Sequence, residues 1–120
     1  MEQLFKYDIE GLAKELDVEI DEILVLFMNY ISEMNDEIKS MKLYFANKDW
    51  NMLERIIHNI KGVSANLSIN DVYQTAAAFD LQLKQGKTED AGNEVSKLEE
   101  TILSAKDEII KFFTIKGYTL

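Results

Sequence analysis

Helix-breaking residues are almost missing from this sequence, and that constrains the fold more than any other feature. The 120 residues include no proline and only 5 glycines, whereas turn-rich β folds need both residue types at many positions. Long helices are therefore favoured over a β-sandwich. A chain of this length is typical of one domain and can bury about two-thirds of its unfolded surface. We therefore expect residues 1–120 to form a single domain.

Apolar residues recur at spacings of three and four, the periodicity of amphipathic helices. This pattern predicts helices at about 7–16, 18–46, 49–67, 70–85 and 89–113. The candidate N-caps are Asp17, Ser68 or Asn70, and Thr88, and the candidate helix stops are Gly86 and Gly117. Four long helices with short connections favour antiparallel neighbours. The predicted fold is therefore all-α, an up-down-up-down four-helix bundle over about 18–113 with a short N-terminal helix capping one end.

Charge and cysteine content exclude several classes of function. A net charge of −9 at pH 7 repels phosphate backbones and anionic lipids, so we expect neither nucleic acid nor a membrane as partner. The absence of cysteine excludes disulfides, zinc–thiolate sites, iron–sulfur clusters and thiol catalysis. No stretch approaches the roughly 18 apolar residues of a membrane span, and Met1–Glu10 lacks the pattern of a secretory signal. These features predict a cytoplasmic protein.

The second predicted helix has more apolar residues than one buried stripe requires. Val25, Leu26 and Met28 point away from its main core direction. Either the N-terminal helix or a partner protein is expected to cover them.

The single histidine, His58, is predicted to stand in solvent in the middle of the third helix. At 100° per residue it lies about 160° from the direction of the apolar stripe. Gly62 follows one turn later on the same face, Ala65 lies on its other side, and Lys61 is three residues away. A glycine inside a helix costs about 1 kcal/mol relative to alanine. Its presence is explained if the surface of another molecule must come close to His58.

The chemistry of these residues fits phosphoryl transfer. A neutral imidazole is a good nucleophile near neutral pH and can hold a phosphoryl group as a labile phosphoramidate. A nearby lysine would partly neutralise the added charge, and small neighbours would let a donor domain dock. On these residues alone, an ordinary surface histidine without a function explains the pattern as well as phosphoryl transfer does.

The run His58-Asn59-Ile60-Lys61-Gly62-Val63-Ser64-Ala65-Asn66-Leu67 resembles the signature of histidine-containing phosphotransfer (HPt) domains. That signature has a histidine, any residue, an apolar residue, lysine, glycine, two small residues, and a leucine nine positions after the histidine. Phe27, Asp49-Trp50 and Phe79-Asp80 agree with further landmarks of the family. The resemblance covers about 18–113.

The resemblance implies a phosphorelay carrier. His58 would accept a phosphoryl group through Nε2 from the aspartyl phosphate of a receiver domain and pass it to another receiver. Lys61 would help stabilise the phosphoryl oxygens. The implied docking surface is formed by Gly62, Ala65, Arg55 and Glu54. On the fourth helix, Gln82 and Gln85 are the candidates for a residue that orients the imidazole ring.

The same resemblance implies that the domain needs no catalytic machinery beyond its histidine site. It would have no kinase activity of its own and no bound cofactor or metal, because Mg²⁺ and most catalytic groups would come from the receiver. The expected partners are receiver domains of response regulators or of hybrid sensor histidine kinases, which a monomer would meet one at a time. The lack of a Gly-rich phosphate loop agrees with this expectation.

Two departures from the family pattern stand out. Ser68 occupies a position where glycine is common, and Phe79-Asp80 replaces the usual Leu-Glu pair. We expect both to affect the helix junction and the core rather than the chemistry.

Other helical proteins fit less well. The dimerisation domain of a histidine kinase generally has an acidic residue directly after its histidine and a proline nearby, whereas Asn59 follows here. A di-iron or haem bundle needs more than one histidine. A non-catalytic helical interaction module, binding through the His58 face or the extra apolar strip, remains the alternative. The intact Lys61 and Gly62 favour phosphotransfer over it.

Overall fold

A computed structural model describes residues 5–120, and helices make up most of that range. The five helices are α1 (Ile9–Glu15), α2 (Ile20–Ala46), α3 (Trp50–Asn66), α4 (Asn70–Lys84) and α5 (Ala91–Ile115). Residues 5–120 contain no β-strand. The first four residues of the predicted domain, which also begin the segment Met1–Glu10, lie outside the described residues.

The four long helices pack in a ring. Helix α2 contacts α3, α3 contacts α4, α4 contacts α5, and α5 returns to α2, while α1 packs on α2. Two contacts show the relative direction of α2 and α3: Tyr30 meets Ser64, and Glu37 meets Asn59. Residue numbers rise along one helix as they fall along the other, so the pair is antiparallel. The prediction of an all-α four-helix bundle is confirmed.

The interior of the bundle is mostly apolar and includes a pair of buried hydroxyl groups. Phe27, Phe79 and Phe113 are fully buried. Ser64 is also fully buried, and its hydroxyl group lies 2.7 Å from that of Tyr30. Each hydroxyl group therefore has a hydrogen-bond partner, so burying the two groups costs little free energy.

The extra apolar strip of α2 is only partly covered. Met28 is half-buried against the core. Val25 and Leu26 remain exposed, because α1 is short and contacts only part of α2.

The predicted helix stops are correct, but the predicted N-caps are not. Gly86 and Gly117 follow α4 and α5 with positive φ. The N-caps of α2, α4 and α5 are Glu19, Ile69 and Asp90 rather than Asp17, Ser68 or Asn70, and Thr88. The reason is clear at the junctions before α2 and α4. Asp17 and Ser68 adopt left-handed backbone conformations that end the preceding helix, so they cannot also cap the next one.

Ser68 occupies the strained position of a helix-ending turn. The N–H groups of Ser68 and Ile69 donate to the carbonyl groups of Ala65 and Ser64 at 3.1 and 2.9 Å, the pattern of a Schellman motif. This geometry holds Ser68 at φ 58°, where a residue with a Cβ atom is disfavoured. The departure from the family's glycine at this position therefore affects the helix junction, as expected.

Ser68→Gly should increase the free energy of unfolding by about 1 kcal/mol, because glycine adopts this conformation without strain. The midpoint of thermal unfolding should rise by a few degrees, measurable by calorimetry. Gly86→Ser, which introduces the same strain at φ 71°, should lower it. A Ser68→Gly variant less stable than the wild type would show that the serine side chain stabilises the turn.

Candidate functional site

Helix α3 presents His58 to solvent. The buried residues of this helix are Leu53, Ile57, Ile60 and Ser64. The side chain of His58 lies on another face and is 59% exposed. Its neighbours on that face are the exposed Arg55, Gly62 and Ala65 and the half-buried Glu54 and Lys61. The residues predicted for the site therefore share one side of one helix.

Gly62 leaves open space beside His58. A Cβ atom added at this position would have no contact within 4 Å with the rest of residues 5–120, apart from its own stretch of helix. The fold therefore has no packing reason for glycine here. The role of Gly62 in the approach of another surface stays a prediction.

A buried carboxylate from α4 holds the imidazole ring. The side chain of Asp80 is 2% exposed, and its Oδ2 atom lies 3.3 Å from Nδ1 of His58. The same oxygen accepts hydrogen bonds from the ammonium groups of Lys61 and Lys84, each at 3.0 Å. One oxygen thus joins the histidine to both lysines.

The expectation that the Phe79-Asp80 pair affects only the core is therefore wrong for Asp80. Phe79 is buried in the core, but the next residue points to the histidine site. Lys61 also differs in detail from the prediction, because its ammonium group contacts the carboxylate that holds the imidazole.

The charge state of Asp80 determines which ring nitrogen of His58 is free. Burial opposes ionisation of Asp80, but the neighbouring side chains of Glu54, Lys84 and Lys61 outweigh it and hold the pKa of Asp80 below its usual range. An ionised carboxylate can only accept hydrogen bonds. Nδ1 of His58 must therefore be the donor, and in the neutral ring Nε2 keeps its lone pair.

The two sides of His58 differ in charge. On the α4 side, Lys61 and Lys84 form what we call the basic flank. On the α2 side, Asn59 donates hydrogen bonds to Glu33 and Glu37 at 2.8 and 3.0 Å. These two glutamates form the acidic flank. Burial raises the pKa of Glu37.

Sequence reasoning missed Asp80 and Lys84. Among the hydrogen bonds within residues 5–120, neither Gln82 nor Gln85 reaches His58 through its side chain. A signal for Asp80 existed: it follows buried Ala76 by four positions, on the apolar side of α4. A carboxylate at such a position needs a charged partner, and Lys84 follows one turn later.

The cluster does not suit a metal ion. A carboxylate oxygen of Glu54, a ring nitrogen of His58 and a carboxylate oxygen of Asp80 lie within 4.8 Å of one another. However, the ammonium groups of Lys61 and Lys84 already contact Asp80, and two positive charges this close oppose a divalent cation. We therefore do not assign these side chains as metal ligands.

The fold and the site define a helical domain that displays one oriented nucleophile on an open surface. A family model described as "Hpt domain" matches residues 25–108, which is more than half of the chain. The chain therefore belongs to the Hpt domain family, and the resemblance identified from its sequence is confirmed. Hpt domains are phosphorelay carriers of two-component signalling and interact with receiver domains.

Comparisons with curated proteins and with solved structures found no match. Within residues 5–120, none of the helices has the length and apolar character needed to cross a membrane.

Proposed function

We propose that this domain accepts a phosphoryl group on Nε2 of His58 from the aspartyl phosphate of one receiver domain and passes it to another receiver. The main support is the contact between Nδ1 of His58 and the buried Asp80, together with the exposure of the ring. A fixed Nδ1–H leaves the nucleophilic lone pair on the nitrogen that a partner can reach.

The transfer step conserves atoms and charge. The Nε2 lone pair forms the N–P bond, and the bond between phosphorus and the aspartate oxygen breaks. Its electron pair stays on the receiver's carboxylate. The ring keeps the proton on Nδ1 and becomes positively charged next to Asp80, which stabilises it. Onward transfer reverses these changes with a second receiver's carboxylate.

The basic flank complements the phosphoryl group. Lys61 and Lys84 both contact Asp80. Two positive charges at short range favour a phosphoryl group on His58. Mg²⁺ would be supplied by the receiver, so the domain needs neither a bound cofactor nor kinase activity of its own.

The receiver would dock around His58. Gly62 and Ala65 give room for the receiver's active site, and Arg55 and Glu54 form the neighbouring rim. The exposed Leu26, on the adjacent helix, would add apolar contact area. We further propose that the domain works in the cytoplasm as a monomer, with this one face used by donor and acceptor in turn.

The experiment that tests this function uses two receivers. A receiver phosphorylated with acetyl phosphate is mixed with the domain and Mg²⁺, and label on the domain should be stable to base and labile to acid. Adding a second, unphosphorylated receiver should remove the label. Receiver binding without any labelling would instead support the non-catalytic interaction module.

Asp80→Asn should slow phosphoryl uptake by about tenfold to a hundredfold, comparable to the cost of losing a carboxylate that orients a ligating histidine in metal sites. The amide has the same size but no charge to stabilise the ring. NMR of the ring nitrogens should show a smaller fraction of His58 with its proton on Nδ1. Asp80→Glu should restore part of that fraction. An unchanged proton distribution with normal uptake would contradict the role given to Asp80.

A further inference from the structure

Two buried carboxylate oxygens at the site have no hydrogen-bond partner among residues 5–120. They are Oε2 of Glu54 and Oδ1 of Asp80, and the two side chains belong to the group within 4.8 Å described above. Glu54 lies one turn before His58 on α3, so it approaches Asp80 from the opposite helix. Two ionised carboxylates cannot face each other out of water without a cation or a proton between them.

A proton fits between the facing carboxyl groups of Glu54 and Asp80 better than a metal ion does. Lys61 and Lys84 already bind the other oxygen of Asp80, so a divalent cation would be held against two ammonium groups. A proton on Glu54 turns one of the two acceptors into a donor and satisfies both oxygens. It also leaves the two lysines in place.

The charged groups around Glu54 have opposing effects on its pKa. The neighbouring carboxyl group of Asp80, followed by burial and by the charge of Asp80, raises the pKa of Glu54. Lys84 on α4 and His58 on α3 oppose this rise. Lys61 on α3 is the remaining charged group of the cluster, and it contacts Asp80.

We propose that Glu54 is protonated in the resting site and donates its hydrogen bond to Oδ1 of Asp80. It is thus a positioning residue that acts on His58 through Asp80. This inference rests on the proposed phosphoryl transfer. With Glu54 protonated, Asp80 accepts through both oxygens and is fixed in the orientation that holds Nδ1 of His58. The cluster also keeps the net positive charge that favours a phosphoryl group.

Loss of this proton should weaken phosphoryl uptake. As pH rises through the raised pKa of Glu54, the site gains a negative charge and Asp80 loses a donor. The initial rate of uptake should then fall by about an order of magnitude, the size expected for one unit charge near a partly buried group.

Two substitutions separate this effect from a simple change of charge. Glu54→Gln places an amide that can donate to Asp80 but cannot ionise, so the fall in rate at higher pH should disappear. Glu100→Gln removes the same charge from an exposed position on α5. That variant should keep the pH profile of the wild type.

A second readout is independent of phosphoryl transfer. NMR titration of the carboxyl carbons in the unphosphorylated domain should show Glu54 still protonated above the range in which glutamate ordinarily ionises. Ionisation of Glu54 in that ordinary range would overturn the inference even if transfer works. So would Zn²⁺ binding that shifts the signals of both Glu54 and His58. A wild-type domain that takes up no phosphoryl group at any pH would contradict the proposed function, and the titration would still decide whether the proton is present.

Discussion

A His58→Gln variant should take up no phosphoryl group from a phosphorylated receiver. The domain contains one histidine, so this substitution removes every nitrogen that could form a phosphoimidazole. Glutamine is close in size and can still donate a hydrogen bond to Asp80. Because the side chain it replaces is more than half exposed, the fold should be retained. Labelling followed by acid and base treatment measures the loss.

The control for this variant is its stability and its binding to the receiver. Thermal unfolding monitored by circular dichroism should stay close to that of the wild type, and so should the affinity for an unphosphorylated receiver. Acid-labile label that persists in His58→Gln would place the acceptor on another residue and contradict the proposed chemistry.

Gly62→Gln should reduce phosphoryl uptake by at least about a hundredfold, the cost of displacing reacting groups by about 1 Å. The longer side chain would fill the space that the receiver's active site needs. The free domain should not lose stability, because a Cβ atom at this position would meet no packed neighbour within 4 Å among residues 5–120. Glutamine is also a better helix former than glycine, by about 0.5–1 kcal/mol. Transfer assays and thermal melts on the same preparation measure the two effects separately.

Ser104→Gln is the matched control for Gly62→Gln. Ser104 is a small exposed residue on α5, the long helix that does not contact α3. The same enlargement there should leave transfer unaffected. If Gly62→Gln unfolds the domain, then the glycine serves packing. If it folds and transfers normally, then receivers do not approach this part of α3.

The part of the site on α3 was predictable because a helix fixes the positions of residues three and four apart. His58, Lys61, Gly62 and Ala65 lie within less than two turns of one helix, so their shared side follows from the sequence alone. The fold class followed in the same way, from continuous apolar periodicity with almost no helix-breaking residues.

The contribution of α4 was harder to predict because it depends on how that helix is rotated against α3. Local spacing places Asp80 beside the buried Ala76 and Phe79 but does not say which group on α3 it meets. The N-caps of α2 and α4 were mispredicted for a related reason: backbone geometry at the end of the preceding helix used Asp17 and Ser68, which resemble N-caps.

The most direct test of the account is NMR of the ring nitrogens of His58 in the phosphorylated domain. We expect the phosphoryl group on Nε2 and a retained proton on Nδ1, because Asp80 holds Nδ1 as a donor. A phosphoryl group on Nδ1 would contradict the role of Asp80. Phosphorylation of the domain with an unmodified His58 ring would contradict the assignment of the carrier residue itself.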